Sequence, residues 1–169
     1  KILLAGGGEA RDSLLLDQKL AKWVGLGGKM LFLPIANQDP QLHKSSMKWI
    51  TETFSPLHVV NIAMWTNLSE HHPAELAEFD AVYIGGGNTY WLLAKVAESG
   101  FAPHFVNYVM AGGVIYGGSA GAVILGRDIQ TVRHLDRNDI NLTETRGLNI
   151  AAGHAVWVHY QDEDDPLIH

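Results

Sequence analysis

The stretch Val114-Ile115-Tyr116-Gly117-Gly118-Ser119-Ala120-Gly121-Ala122 leads from an aliphatic, strand-like run through Gly-x-Ser-x-Gly into helix-like residues 122–125. A serine hydroxyl gains reach as a nucleophile when a sharp strand-to-helix turn lifts it to the end of a strand. Such a turn needs small flanking residues, because a Cβ at the glycines would strike neighbouring backbone. The next amide, Ala120 N–H, would then face the negative charge that develops on an attacked carbonyl. The chain has no cysteine, so nucleophilic chemistry must use oxygen or nitrogen. The bland reading of the five residues alone is an ordinary serine in a Gly-rich turn.

A second segment, Ile84-Gly85-Gly86-Gly87-Asn88-Thr89-Tyr90-Trp91, also follows an apolar run and opens a helix, with Thr89 read as the N-cap. Three successive glycines leave backbone N–H groups bare, which suits an oxyanion or phosphate cradle. Gly86 and Gly87 are the candidate donors. A third cluster, Gly6-Gly7-Gly8, follows the first apolar run and invites a dinucleotide reading, which fails because residue 11 is Arg where the fingerprint needs its third glycine.

A serine nucleophile needs a base, and the nine histidines stand at 43, 58, 71, 72, 104, 134, 154, 159 and 169. His159 follows Ala155-Val156-Trp157-Val158, which reads as another core strand, so it stands at a strand end as the serine does. His154 falls at the opposite edge. His71-His72, beside Pro73, reads as a polar loop and not as a metal site. A carboxylate must orient the imidazole, and those between Ser119 and His159 are Asp128, Asp136, Asp139 and Glu144. Spacing does not choose among them.

The elements that position these residues follow from hydrophobic patterning. Runs at residues 2–5, 30–33, 59–62, 81–84 and 114–116 are short, apolar and without polar alternation, as parallel strands buried on both faces are. Between them, Leu14, Leu15, Leu20 and Val24 mark one helical stripe, and an apolar helix after Thr89 is ended by Gly100. The predicted architecture is one doubly wound α/β domain over residues 1–169, a mostly parallel sheet with helices on both faces, its site beyond the carboxyl ends of the strands. At 47% hydrophobic and 18% charged, the chain can bury one sizeable core. Its 18 acidic against 12 basic residues, without a basic run, exclude nucleic acid as the expected partner. No apolar run approaches the ~20 residues of a membrane span. A soluble, cytoplasmic protein is expected, and the start at Lys1 and the acidic end Asp162-Glu163-Asp164-Asp165 suggest a chain trimmed at both ends.

Together, Gly85-Gly86-Gly87-Asn88-Thr89, Gly117-Gly118-Ser119-Ala120-Gly121-Ala122, Gly147-Leu148 and His159-Tyr160 resemble the dipeptidase E and cyanophycinase family of serine peptidases. The resemblance implies a fold similar to class I glutamine amidotransferases, with Ser in place of the Cys nucleophile. It makes Ser119 the nucleophile, His159 the base and Asp136 the acid, with Asp139 the second choice, and it puts Gly86, Gly87 and Ala120 around the oxyanion. It implies no metal or organic cofactor, a small-peptide substrate and a homodimer. Further strands of the family would follow where this chain ends. Gly118 replaces a Trp often found before the serine, and Val158 replaces a Pro before the histidine, so N-terminal Asp, β-aspartyl and other peptides all stay open as substrates. A carboxylate-bearing substrate would call on Arg133, Arg137 or Arg146. Two rival readings are an α/β-hydrolase esterase, which shares the Ser, acid, His order, and a non-catalytic small-molecule-binding member of the same fold.

Overall fold

The computed structural model describes residues 1–8 and 10–168; of the histidines above, His169 lies outside them. Five strands form one sheet: β1 (Ile2–Ala5), β2 (Lys29–Leu33), β3 (Asn61–Met64), β4 (Ala81–Ile84) and β5 (Val114–Gly118), in the order β1-β5-β4-β2-β3. Every pair is parallel. Among the described residues, six α-helices accompany them: α1 (Ala10–Val24), α2 (Gln41–Phe54), α3 (Thr89–Glu98), α4 (Ala102–Met110), α5 (Ala120–Leu125) and α6 (Asp165–Ile168).

Because side chains alternate across a strand, the sheet divides one chain into two cores. Ala81 and Tyr83 of β4, Met30 and Phe32 of β2, and Val114 and Tyr116 of β5 pack with Leu20 and Val24 of α1 and Ile50 and Phe54 of α2. The alternate residues Val82, Ile84, Leu31, Leu33 and Ile115 pack instead with Leu92 and Val96 of α3, Phe105 of α4 and Val123 to Leu125 of α5. Helices on both faces explain why the central strands carry no polar alternation. The edges differ from the doubly buried expectation: the β3 side chains are exposed or half-buried, and β1 alternates.

Several boundaries depart from the sequence reading: β2 starts one residue early, at Lys29, and β3 ends at Met64 rather than residue 62. The third strand starts at Asn61 rather than residue 59, because the Val59 amide donates to the Phe54 carbonyl and finishes the turn that ends α2. β5 runs on through Gly117 and Gly118, which pair in register with Ile84 of β4 and with Leu4 and Ala5 of β1. Residues 155–158 form no strand. Their neighbourhood is tied to the loop after α5: Arg127 N–H donates to the His154 carbonyl, and Thr131 Oγ1 donates to the Val156 carbonyl at 2.7 Å. These bonds hold the segment beside residues 126–131 and off the sheet.

In α1, Leu15 is 81% exposed and Leu14 also faces solvent, while Leu20 and Val24 are buried as expected. The inward face takes in Asp17, which is only 2% exposed; a charged residue on a buried stripe hides that face from a hydrophobicity pattern. Among the described residues, no helix is long and apolar enough to cross a membrane.

Candidate active site

The register places the ends of β1, β5 and β4 side by side, since Ala5 pairs with Gly118 and Ile84 with Gly117. Their following loops, Gly6-Gly7-Gly8, Ser119 and Gly85-Gly86-Gly87, therefore meet. Ser119 joins β5 directly to α5 in the left-handed half of φ space, at φ 51° and ψ −115°. For a residue with a Cβ this is a strained conformation. It is held by the Ser119 N–H bond to the Ala5 carbonyl at 2.9 Å and by the Ala122 and Val123 amides donating to the Ser119 carbonyl.

The glycines around it are sterically required. A Cβ on Gly117 would lie 2.6 Å from Cα of Ala122, and one on Gly121 would run into the Ile84 carbonyl. Gly86 sits so close that its Cβ would come within 3.1 Å of Cβ of Ser119. Gly87, at φ +142°, leaves no room for a Cβ against Ala36. The Gly85 and Asn88 amides donate to the Leu33 and Ala36 carbonyls, at 2.9 and 3.0 Å. Between these anchors, the amides of Gly86 and Gly87 donate to no backbone acceptor among the described residues, nor does that of Ala120.

Ser119 Oγ lies 2.8 Å from Nε2 of His159, although no strand carries the histidine. Its position is set by the β1 loop. The His159 amide donates to the Gly6 carbonyl at 2.9 Å, buried Val158 anchors the chain just before it, and the imidazole lies over Gly7. A Cβ on Gly7 would collide with the ring, 2.2 Å from Cε1, 2.7 Å from Nε2 and 2.8 Å from Nδ1. His159 itself has φ 53°. Thus two of the non-glycine residues in the left-handed region are the two that meet at this bond. The Gly6-Gly7-Gly8 cluster, set aside with the dinucleotide reading, is the seat of the histidine. The clue was present as a triple glycine at a strand end, but its partner is about 150 residues away along the chain and does not show in local spacing.

Asp136 is placed differently from the expectation that it orients His159. Its Oδ2 accepts the Thr89 N–H at 2.7 Å, at the start of α3. The helix N-cap is Asn88 rather than Thr89: Asn88 Oδ1 accepts from Trp91 N–H, and its Nδ2 donates to the Arg137 carbonyl. Asp136 is drawn there because the first amides of a helix have no partner within it. The alternative acids are also engaged elsewhere. Asp128 accepts from the Gln130 amide and from Thr145 Oγ1, Asp139 pairs with Arg137 at 3.1 Å, and Glu144 grips Arg146 through two guanidinium bonds. That grip lowers the Glu144 carboxyl to about 2. None of the four bonds His159 among the described residues. The structure therefore brings Ser119, His159 and Gly86 together, with Ala120 next to the serine in the chain, Gly87 turned toward Ala36 and Asp136 at the Thr89 amide.

The other histidines stay outside this cluster. His71 stacks on Trp65 at 3.9 Å and meets Glu75, His72 caps the short helix that follows it, and His134 stacks on Trp157 at 4.6 Å. Among the described residues, no three His, Asp or Glu side chains are grouped to hold a metal ion.

The profile of Peptidase family S51 matches residues 2–167. The chain belongs to peptidase family S51. Membership removes the α/β-hydrolase alternative and accounts for the parallel sheet. Among curated relatives, the chain is 32% identical over 96 residues to the uncharacterized peptidase Lin0382 of Listeria innocua, covering 56% of this chain and 46% of that one. It is 29% identical over 117 residues to peptidase E of Pasteurella multocida, covering 69% and 47%. This S51 chain thus spans about half the length of the curated relatives it matches. The solved structure of a peptidase from an acI-B1 Actinobacterium shares the fold, with TM-score 0.72 at 17% identity over 99% of this chain and 70% of that one.

Proposed function

We propose that this chain hydrolyses small peptides by a serine mechanism, with Ser119 as nucleophile and His159 as general base. The observation that carries the proposal is the 2.8 Å approach of Ser119 Oγ to His159 Nε2, made by two residues that each hold a strained backbone. Strain of this kind persists where the surroundings over-determine it, and it concentrates at reactive sites.

In the proposed reaction, His159 takes the hydroxyl proton as Ser119 Oγ attacks the scissile carbonyl, then returns it to the leaving amine. The oxyanion forms beside the amides of Gly86, Gly87 and Ala120, whose N–H groups are uncommitted to the backbone. Asp136 acts at a remove. By holding Thr89 N–H it fixes the start of α3, and with it the glycine loop that ends at Asn88. His159 is oriented by its backbone bond to Gly6 and by its seat on Gly7. A cytoplasmic setting and a homodimer, the latter following the family resemblance, complete the proposal.

The test is hydrolysis of a dipeptide panel by the wild type beside Ser119→Ala. Loss of the nucleophile should reduce kcat/KM by about 10³-fold or more. Equal hydrolysis by the two proteins would end the proposal.

A further inference from the structure

The histidine that meets Ser119 hangs from a segment that no strand supports. Residues 155–158 lie outside the sheet, yet His159 holds Nε2 2.8 Å from Ser119 Oγ. Val156 and Val158 of this segment pack against the core of α3, α4 and α5. Trp157, between them, stacks on His134 at 4.6 Å. Apolar burial has no preferred direction, so it sets how deep the segment lies. Its position along the surface is left to hydrogen bonds, which are directional.

Among the described residues, three hydrogen bonds tie the backbone of residues 154–159 to distant parts of the fold. Arg127 N–H donates to the His154 carbonyl at 2.9 Å, Thr131 Oγ1–H to the Val156 carbonyl at 2.7 Å, and His159 N–H to the Gly6 carbonyl at 2.9 Å. The Thr131 bond is made by a side chain and acts three residues before the base. Thr131 is itself firmly placed. It lies in the short 3₁₀ turn Gln130–Val132, between the buried residues Ile129 and Val132. Asp128 fastens the turn by accepting from the Gln130 amide at 2.7 Å and from Thr145 Oγ1 at 3.1 Å.

The same loop is fixed to the nucleophile. Ser119 opens α5, whose six residues are all buried and which is roughly 9 Å long. At its other end a Cβ on Gly126 would come 3.1 Å from both the His154 carbonyl oxygen and the Val156 nitrogen. The segment that carries the base therefore lies directly against the end of the helix that the serine starts.

Resting on the serine mechanism above, we propose that Thr131 is a positioning residue for this reaction: its hydroxyl, by holding the Val156 carbonyl, sets where His159 Nε2 meets Ser119 Oγ. The buried helix α5 is the spacer between the two ends, and Asp128 serves the base by holding the turn that carries Thr131.

The experiment measures kcat and KM for Asp-Leu, Leu-Leu, Ala-Leu and Lys-Leu in the wild type, Ser119→Ala, Thr131→Val, Thr131→Ser and Thr51→Val. Valine keeps the shape of threonine without its hydroxyl, and serine keeps the hydroxyl. Thr51 Oγ1 donates to the Met47 carbonyl at 2.8 Å within α2, so Thr51→Val loses the same kind of bond away from the base. On the peptide that the wild type cleaves fastest, Thr131→Val should lower kcat by at least about tenfold with KM within about twofold. Thr131→Ser should regain most of the loss, and Thr51→Val should keep the wild-type kcat. Thr131→Ala is read in the same way if the valine variant does not fold. A folded Thr131→Val protein with wild-type kcat would overturn the inference and leave the serine mechanism standing. So would equal losses in Thr131→Val and Thr131→Ser, or in Thr131→Val and Thr51→Val. Absence of Ser119-dependent cleavage across all four peptides would overturn both.

Discussion

At the scale of single residues, the site depends on atoms that are missing as much as on those present. Gly7 contributes no side chain, and its bareness lets the His159 ring lie over β1's end within reach of Ser119. Gly7→Ala should displace the ring by about an ångström and lower kcat/KM by about 10²-fold, with the far-ultraviolet circular dichroism unchanged. An active Gly7→Ala protein would show that another residue seats the base. Asp17 makes a different prediction. Burial raises its carboxyl above the ordinary 3.8, against the pull of the bonds from Tyr116 and Ser13. A raised acid holds its proton more firmly folded than unfolded, so its contribution to stability falls as pH rises from 3.8 through the raised folded value. The stability of the wild type relative to Asp17→Asn should therefore be greater at about pH 4 than at about pH 7, measured by urea midpoints. Glu144 is shifted the other way, but it is common to both proteins and cancels in the comparison.

At the scale of elements, the start of α3 is the joint between the glycine loop and the segment that carries the candidate acids. Asn88 caps the helix through Trp91 N–H and reaches the Arg137 carbonyl, while Asp136 reaches Thr89 N–H. Asn88→Ala should cost about 1 kcal/mol for the cap alone, seen as a fall of about 2–4 °C in Tm. Asp136→Asn keeps the shape and weakens a charge-assisted bond. It should reduce kcat, because the oxyanion loop is less well held, while leaving the pH dependence of kcat/KM near its wild-type form. If Asp136 acted directly on His159, the same substitution would displace the pH profile. The two outcomes separate a positioning residue from a triad member.

At the scale of the whole molecule, five parallel strands send three loops to one edge, and the two cores hold those loops level. Leu92 is fully buried in the core shared by α3 and α5. Leu92→Ala should cost about 2–5 kcal/mol and lower Tm by roughly 2–4 °C for each of these kcal/mol, as read by scanning calorimetry. A change below about 1 kcal/mol would mean that this core relaxes around the gap.

Local patterning was sufficient to reveal the βα alternation, β1 and β4 to the residue, the serine turn and the glycine loop after β4, because each is written in consecutive residues whose shape and hydrophobicity act over a few ångströms. It was enough to nominate His159, but for a reason the fold does not use, since residues 155–158 pack beside the loop after α5 and not in the sheet. What only the tertiary structure decided was which distant groups share space: Gly7 beneath His159, Asp136 at Thr89, and Asp17 behind Tyr116. Those pairings depend on strand order and register, which bring the end of β1 beside the end of β5 across more than 100 residues of chain, and no local period records them.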